Sequence, residues 1–273
     1  MKMIIRTVSI TLLAVAVSLP VQAHRAWILP AATVLSSEDP WVSFDAVVSN
    51  EIFHPDHFPL RVESIAAQGP DGGEVPLQNP HTGKHRSNFD LQLTQPGTYR
   101  VYTAMGGLNA RWEDADGKRH FWPPRGEKAD PSQFDKAVPK KAKNLQVSQS
   151  YRRVETFVTA GEPTPIKAVN EGLELVAVTH PNDLYAGEKA TFKFLINAKA
   201  AKGTKVSIIP GGSRYRDSQE EIALVSDEEG LVSVTWPAAG VYFLEAEYSD
   251  DDVQAPATIR RGTYTVTLEV LPL

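Results

Sequence analysis

The chain of 273 residues contains no cysteine. That absence removes disulfides, thiol nucleophiles and thiolate metal sites together. Any metal held here must rest on histidine, carboxylate, amine or backbone donors. Enzyme signatures are missing too: no Gly-rich phosphate loop after a strand, no G-x-S-x-G elbow and no H-E-x-x-H pair. The basic footprint that nucleic acid demands is lacking, with 28 Lys and Arg against 33 Asp and Glu and a formal charge of −5. Amphipathic helical periodicity is scarce throughout. A binding protein rather than an enzyme is the expectation, without a nucleic-acid partner.

Long apolar runs are also lacking, save one. "SITLLAVAVSLP" follows Lys2 and Arg6 near the start and is too short to span a bilayer comfortably. Small residues at Val21 and Ala23 then mark a cleavage site, so residues 1–23 read as a secretory signal. Removing them takes away two positive charges and leaves an acidic, exported and soluble chain that begins at His24.

What remains is β-rich. "WVSFDAVVSN" alternates between apolar and polar, and "FDLQLTQPGTYRVYTAM" sets two such runs around Pro96-Gly97. "KATFKFLINA", "LVSVTWP", "VYFLEAEYS" and "GTYTVTLEVLP" continue the pattern, each closed by Pro, Gly or charge. Strands at this spacing predict an all-β fold of two tandem antiparallel β-sandwich domains, immunoglobulin-like or transthyretin-like. The first covers 24–165, with a charged loop excursion near 125–144; the second covers 171–273.

Histidine is the chemistry-bearing residue, and all seven lie after the signal. A mature chain beginning at His24 offers two nitrogens from one residue, the α-amine and the ring Nδ1, which can close a chelate on one cation. An α-amine with a pKa of about 8 gives up its proton readily to a metal near neutral pH. In "NEIFHPDHFPL", His54 and His57 flank Asp56, with Pro55 and Pro59 stiffening a loop where the two rings could converge; a solvated polar loop is the plain alternative. His81, His85 and His120 stand among Lys, Arg and Gly and make weaker ligands. In the second domain, "THPNDLYAGE" and "PGGSRYRD" bring His180, Asp183, Arg214, Arg216 and Asp217 into view. Arg–carboxylate pairing favours a structural network there, with an anion- or sugar-binding pocket as the alternative.

The stretches "AHRAWILPAATVLSSEDPWVSFDAVVSNEIF", "HFPL", "RRVETFVT", "THPNDLYAGE", "PGGSRYRD" and "TWPAAGVYFLEA" give the chain a resemblance. It resembles exported proteins of uncharacterised function labelled as periplasmic components of cobalt or nickel uptake. The resemblance implies a periplasmic two-domain β protein associated with transition-metal handling. With the nitrogen-rich donors at His24, the expectation is a protein that captures Ni(II), Co(II), Cu(II) or Zn(II), or presents it to an uptake transporter or outer-membrane receptor. The resemblance points to His24, Trp27, Asp45, Asn50 and His57. In that reading His24 chelates through amine and ring, His57 adds an imidazole, and Asp45 or His54 is a ligand or orients one. The rival expectation is a metal-free structural or adaptor module of the cell envelope, binding a protein partner or an anionic ligand.

Overall fold

The computed structural model describes residues 24–124, 126, 127 and 129–273; the expected signal over 1–23 lies outside them, as do Arg125 and Lys128 of the charged excursion. Eleven longer strands carry the fold: β1 (Arg25–Pro30), β2 (Trp41–Ser49), β3 (Ser87–Gln92), β4 (Gly97–Glu113), β5 (Lys143–Ala160), β6 (Leu173–Ala177), β7 (Lys189–Ile196), β8 (Lys205–Pro210), β9 (Leu231–Thr235), β10 (Gly240–Asp250) and β11 (Ile259–Val270). Their period-two pattern sets the faces: Val42, Phe44 and Ala46 of β2 are buried while Trp41 and Ser43 face out. The chain is all-β, built as sandwiches.

Three sheets form. The first runs β1-β2-β3 and ends on Gln78–Thr82, with Phe58–Pro59 beside β2; the third pairs β6, β7 and β9 with Lys199–Ala200. Between them lies a ten-stranded sheet whose path includes β8-β10-β11-β5-β4. The halves of the chain meet in it, where β5 and β11 pair in parallel from Ser148↔Ile259 to Thr156↔Thr267. The only other parallel pairing among the named strands joins Val34–Leu35 to the end of β5.

Alternation along β5 shows how this central sheet is covered. Val154, Val158 and Ala160 pack with Ile28, Phe44, Phe89 and Leu91 of the first sheet. Phe157, of opposite parity, packs with Phe192, Phe194 and Val234 of the third, alongside Leu244 and Val266. Two sandwiches thus share one middle layer. A smaller cluster ties the first sheet to the second half of the chain: Trp27, Val47 and Ile52 pack with Ile209 and Phe243.

Part of the charged excursion is anchored. Asp130 accepts a hydrogen bond from the Ser132 amide at the start of a 3-10 turn, and the short helix Phe134–Ala137 follows. Phe134 meets Trp122 edge-on at 5.2 Å, and Val138, Val147 and Ala257 complete a separate small core.

Candidate functional site

Pairing of Arg25 with Ser49 brings the start of β1 beside the turn that leaves β2. His24, one residue earlier, therefore lies against the loop 50–58. That loop is held by its own polar groups. The Asp56 amide donates to the Ser49 hydroxyl at 3.0 Å, and the Asp56 carboxylate accepts from that hydroxyl and, at 3.1 Å, from the Asn50 amide. The Ser49 hydroxyl, then Asn50, hold the Asp56 carboxyl below the usual carboxylate range. Phe53 adopts φ +57, a left-handed conformation costly for an aromatic residue, and its packing edge-on against Trp27 at 5.8 Å opposes that cost.

The loop delivers His57 to His24. Their rings stack with centroids 4.1 Å apart and an interplanar angle of 8°. Phe58 lies beside both, 4.6 Å from His57 and 6.1 Å from His24. His85 joins from the turn before β3, its Nδ1 donating to the His57 carbonyl at 3.1 Å. Both stacked histidines are exposed.

The donor chemistry fits a divalent transition metal, but the stacked pose does not hold one. An ion bound to imidazole lies near the ring plane at about 2.0–2.1 Å from nitrogen, and two parallel planes cannot both contain it. Turning either exposed ring forfeits the stacking contact, worth about 1 kcal/mol. Among the described residues no three His, Asp or Glu side chains are gathered in a metal-holding arrangement.

The other expected ligands are engaged elsewhere. His54 faces Arg214, whose Nη1 lies 2.9 Å from its Nε2 and 3.1 Å from its Nδ1. A permanent cation against both ring nitrogens opposes metal binding at His54. Asp45 pairs with Arg86 at 3.1 Å and accepts from the Asn88 side chain. It sits opposite Leu29, four residues up β2 from Ser49, a separation of ~13 Å along the strand.

Among the described residues, the second-half candidates make separate contacts. His180 bonds through Nε2 to the Thr164 carbonyl and the Thr98 hydroxyl, each at 3.1 Å, and its Nδ1 accepts from the Asn182 amide. The proton therefore sits on Nε2. Burial pushes the His180 imidazolium pKa down, with the Thr164 bond and Asp183 opposing. Arg216 holds its own loop, donating to the Gly211 and Pro210 carbonyls at 2.6 and 2.8 Å, and pairs with Glu220. Asp183 and Asp217 are exposed. His85, which the sequence placed among the weaker ligands, is the histidine that the fold adds to the His24–His57 pair. Its only sequence signal was the glycine turn at "HTGKH".

A family model described as a domain of unknown function (DUF4198) matches residues 21–250. No curated protein matches the sequence significantly. Solved structures similar to the chain include the D0-D1 domain of intimin, at 9% identity over 89% of this chain and 97% of that one, TM-score 0.21. A marsupial T cell receptor matches at 11% identity over 92% and 74%, TM-score 0.20. A pilus 2b backbone protein of group B streptococcus matches at 7% identity over 86% and 88%, TM-score 0.17.

Proposed function

The chain belongs to the DUF4198 family, and from that premise we propose that it is an exported, non-enzymatic transition-metal-binding protein centred on His24. The observation that carries the reading is the ring contact of His24 with His57, residues 33 positions apart in sequence. Cleavage after Ala23 would add an α-amine to the same place. His24 would then bind through amine and Nδ1, and His57 through an imidazole nitrogen once one ring turns. His85 would fix the His57 backbone through its Nδ1–H. Such a set is rich in nitrogen and free of sulfur, which suits Cu(II) and Ni(II) above Co(II), with Zn(II) also accommodated. The resemblance in sequence supplies the proposed setting: the periplasm, with delivery to a metal-uptake transporter or outer-membrane receptor.

Calorimetric titration tests the reading. Protein beginning at His24 is titrated with Cu(II), Ni(II) and Co(II), beside H57A and a version carrying one additional residue before His24. Both changes should weaken Cu(II) binding at least tenfold. Equal affinity in all three would overturn the role of the terminal amine and of His57, leaving the adaptor reading as the one to pursue.

A further inference from the structure

A second feature lies at the far end of β2 from the metal loop and is independent of it. Trp41 opens that strand, eight positions before Ser49 and ~26 Å from it along the strand. Its side chain is 49% exposed, whereas Trp27 and Trp236 are 1% exposed. The period of two places Ser43 and Asp45 on the same outer face as Trp41, with Val42, Phe44 and Ala46 turned inward. On β3 the buried Phe89 and Leu91 turn Asn88, Asp90 and Gln92 outward. The register is Trp41↔Gln92, Ser43↔Asp90 and Asp45↔Asn88. One indole thus heads a ladder of polar side chains on the outside of the first sheet.

A lone exposed aromatic residue carries no meaning by itself; here the groups beside it are fixed. Asp90 accepts from the Ser43 hydroxyl at 2.6 Å and from the Asn79 side-chain amide at 2.9 Å. Asn79 reaches it from the strand Gln78–Thr82, where the register shifts between Gln78 and His81 and Asn79 takes φ +50. A bulge of this kind re-aims a side chain. The Ser43 hydroxyl, then Asn79, hold the Asp90 carboxyl below the usual carboxylate range. Two bonds leave that carboxylate with acceptor sites to spare, and leave the Asn79 amide a second N–H. Charge on the strip is set as well. Asp45 is neutralised by Arg86, while the exposed Glu38 and Asp39 just before Trp41 add to Asp90 and disfavour an anionic polymer.

We propose that this face binds an uncharged glycan of β-linked glucose-type rings, one ring stacked on Trp41 and its hydroxyls on Gln92, Asp90 and Asn79. A glucose-type ring in its β form carries every substituent equatorially, so each of its faces is a C–H surface that an indole can cover. Dispersion and the negative face of the aromatic ring both favour that contact. The hydroxyls around the ring edge donate to carboxylate and accept from amide, which is the inventory this ladder offers. Linkage between equatorial positions makes an extended ribbon that can lie along a sheet face, whereas the α-linked chain coils away from it.

The test uses the mature chain, residues 24–273, labelled with ¹⁵N and titrated with cellohexaose, with maltohexaose as the α-linked control and hexalysine as the probe for a basic protein partner. Saturable shifts of the Trp41 indole N–H and of the Asn79 and Gln92 side-chain amides are expected with cellohexaose, and at least fivefold weaker binding with maltohexaose. W41A removes the platform at an exposed position and should weaken cellohexaose at least tenfold while the spectrum stays folded; W41Y should restore part of the affinity. Q92A should weaken it at least threefold. No saturable response to cellohexaose, unchanged affinity in W41A, equal affinity for maltohexaose, or shifts with hexalysine alone would each overturn the proposal.

Discussion

The shared middle sheet makes a quantitative demand on Trp27. Its side chain is 1% exposed and packs with Ile209 and Phe243 of the second half as well as with Val47 and Ile52 of the first. Burying 150–250 Å² of aromatic surface at ~25 cal/mol/Å² contributes about 4–6 kcal/mol as an upper bound. Truncations of buried Trp and Phe cost ~3–5 kcal/mol, so W27A should lose about 4 kcal/mol. With a urea slope of ~3 kcal/mol/M for a chain of this size, the midpoint falls by about 1.3 M. The informative reporter is Trp236, fully buried in the second half and 5.0 Å from Tyr242. In a background carrying W41F, W112F and W122F, W27A leaves Trp236 as the sole tryptophan. Its fluorescence and the far-UV circular dichroism should trace one coincident transition, moved by that amount. If Trp236 unfolds at its parental midpoint while part of the dichroism is lost earlier, the halves are independent and the shared-sheet argument fails.

Two further predictions concern titration. Burial lowers the pKa of His180 from its ordinary value of 6.5, so its neutral ring contributes stability that is complete above that pH and is lost as pH falls through the depressed value. Melting temperature should therefore drop between pH 7 and 5, and H180Q should flatten that decline; an unchanged slope refutes the assignment. The Asp56 carboxyl is likewise held low by Ser49 and Asn50, which places its contribution above the ordinary carboxylate pKa and its loss in more acid solution. D56N should remove that acid limb and lower metal affinity by loosening the loop that carries His57, measured by melting curves from pH 2.5 to 5 and by calorimetry.

Strand alternation was legible wherever one face is covered, as in "WVSFDAVVS", and it was enough to read the all-β sandwich class. The seam was not legible. In "RVETF", from Arg153 to Phe157, the odd and even residues are both buried, so neither parity reads as solvent, and nothing local distinguishes the parallel partner β11 from an antiparallel one. The site divided in the same way. His24 and His57 could be singled out by the cleavage position and the loop between the prolines. That His54 would be occupied depends on Arg214, 160 residues later, and that Asp45 would be occupied depends on Arg86, 41 residues later. The backbone bond from His85 to His57 was equally hidden, since Lys84 beside it argued against a role near a cation.

The contact of Arg214 with His54 leads to a prediction whose sign is fixed by charge. His54 and His57 are three positions apart, so their Cα atoms lie no more than ~11 Å apart. At ~10 Å a guanidinium repels a divalent ion by about 0.8 kcal/mol in water before screening. With a Debye length of ~30 Å at 0.01 M salt most of that survives, and with ~8 Å at 0.15 M less than a third does. R214Q should therefore tighten Cu(II) binding about threefold at 0.01 M salt and no more than about 1.5-fold at 0.15 M, read by calorimetry at both. A salt-independent loss of affinity would refute this account, because Arg214 would then be acting by holding the His54 ring and the loop behind it in place.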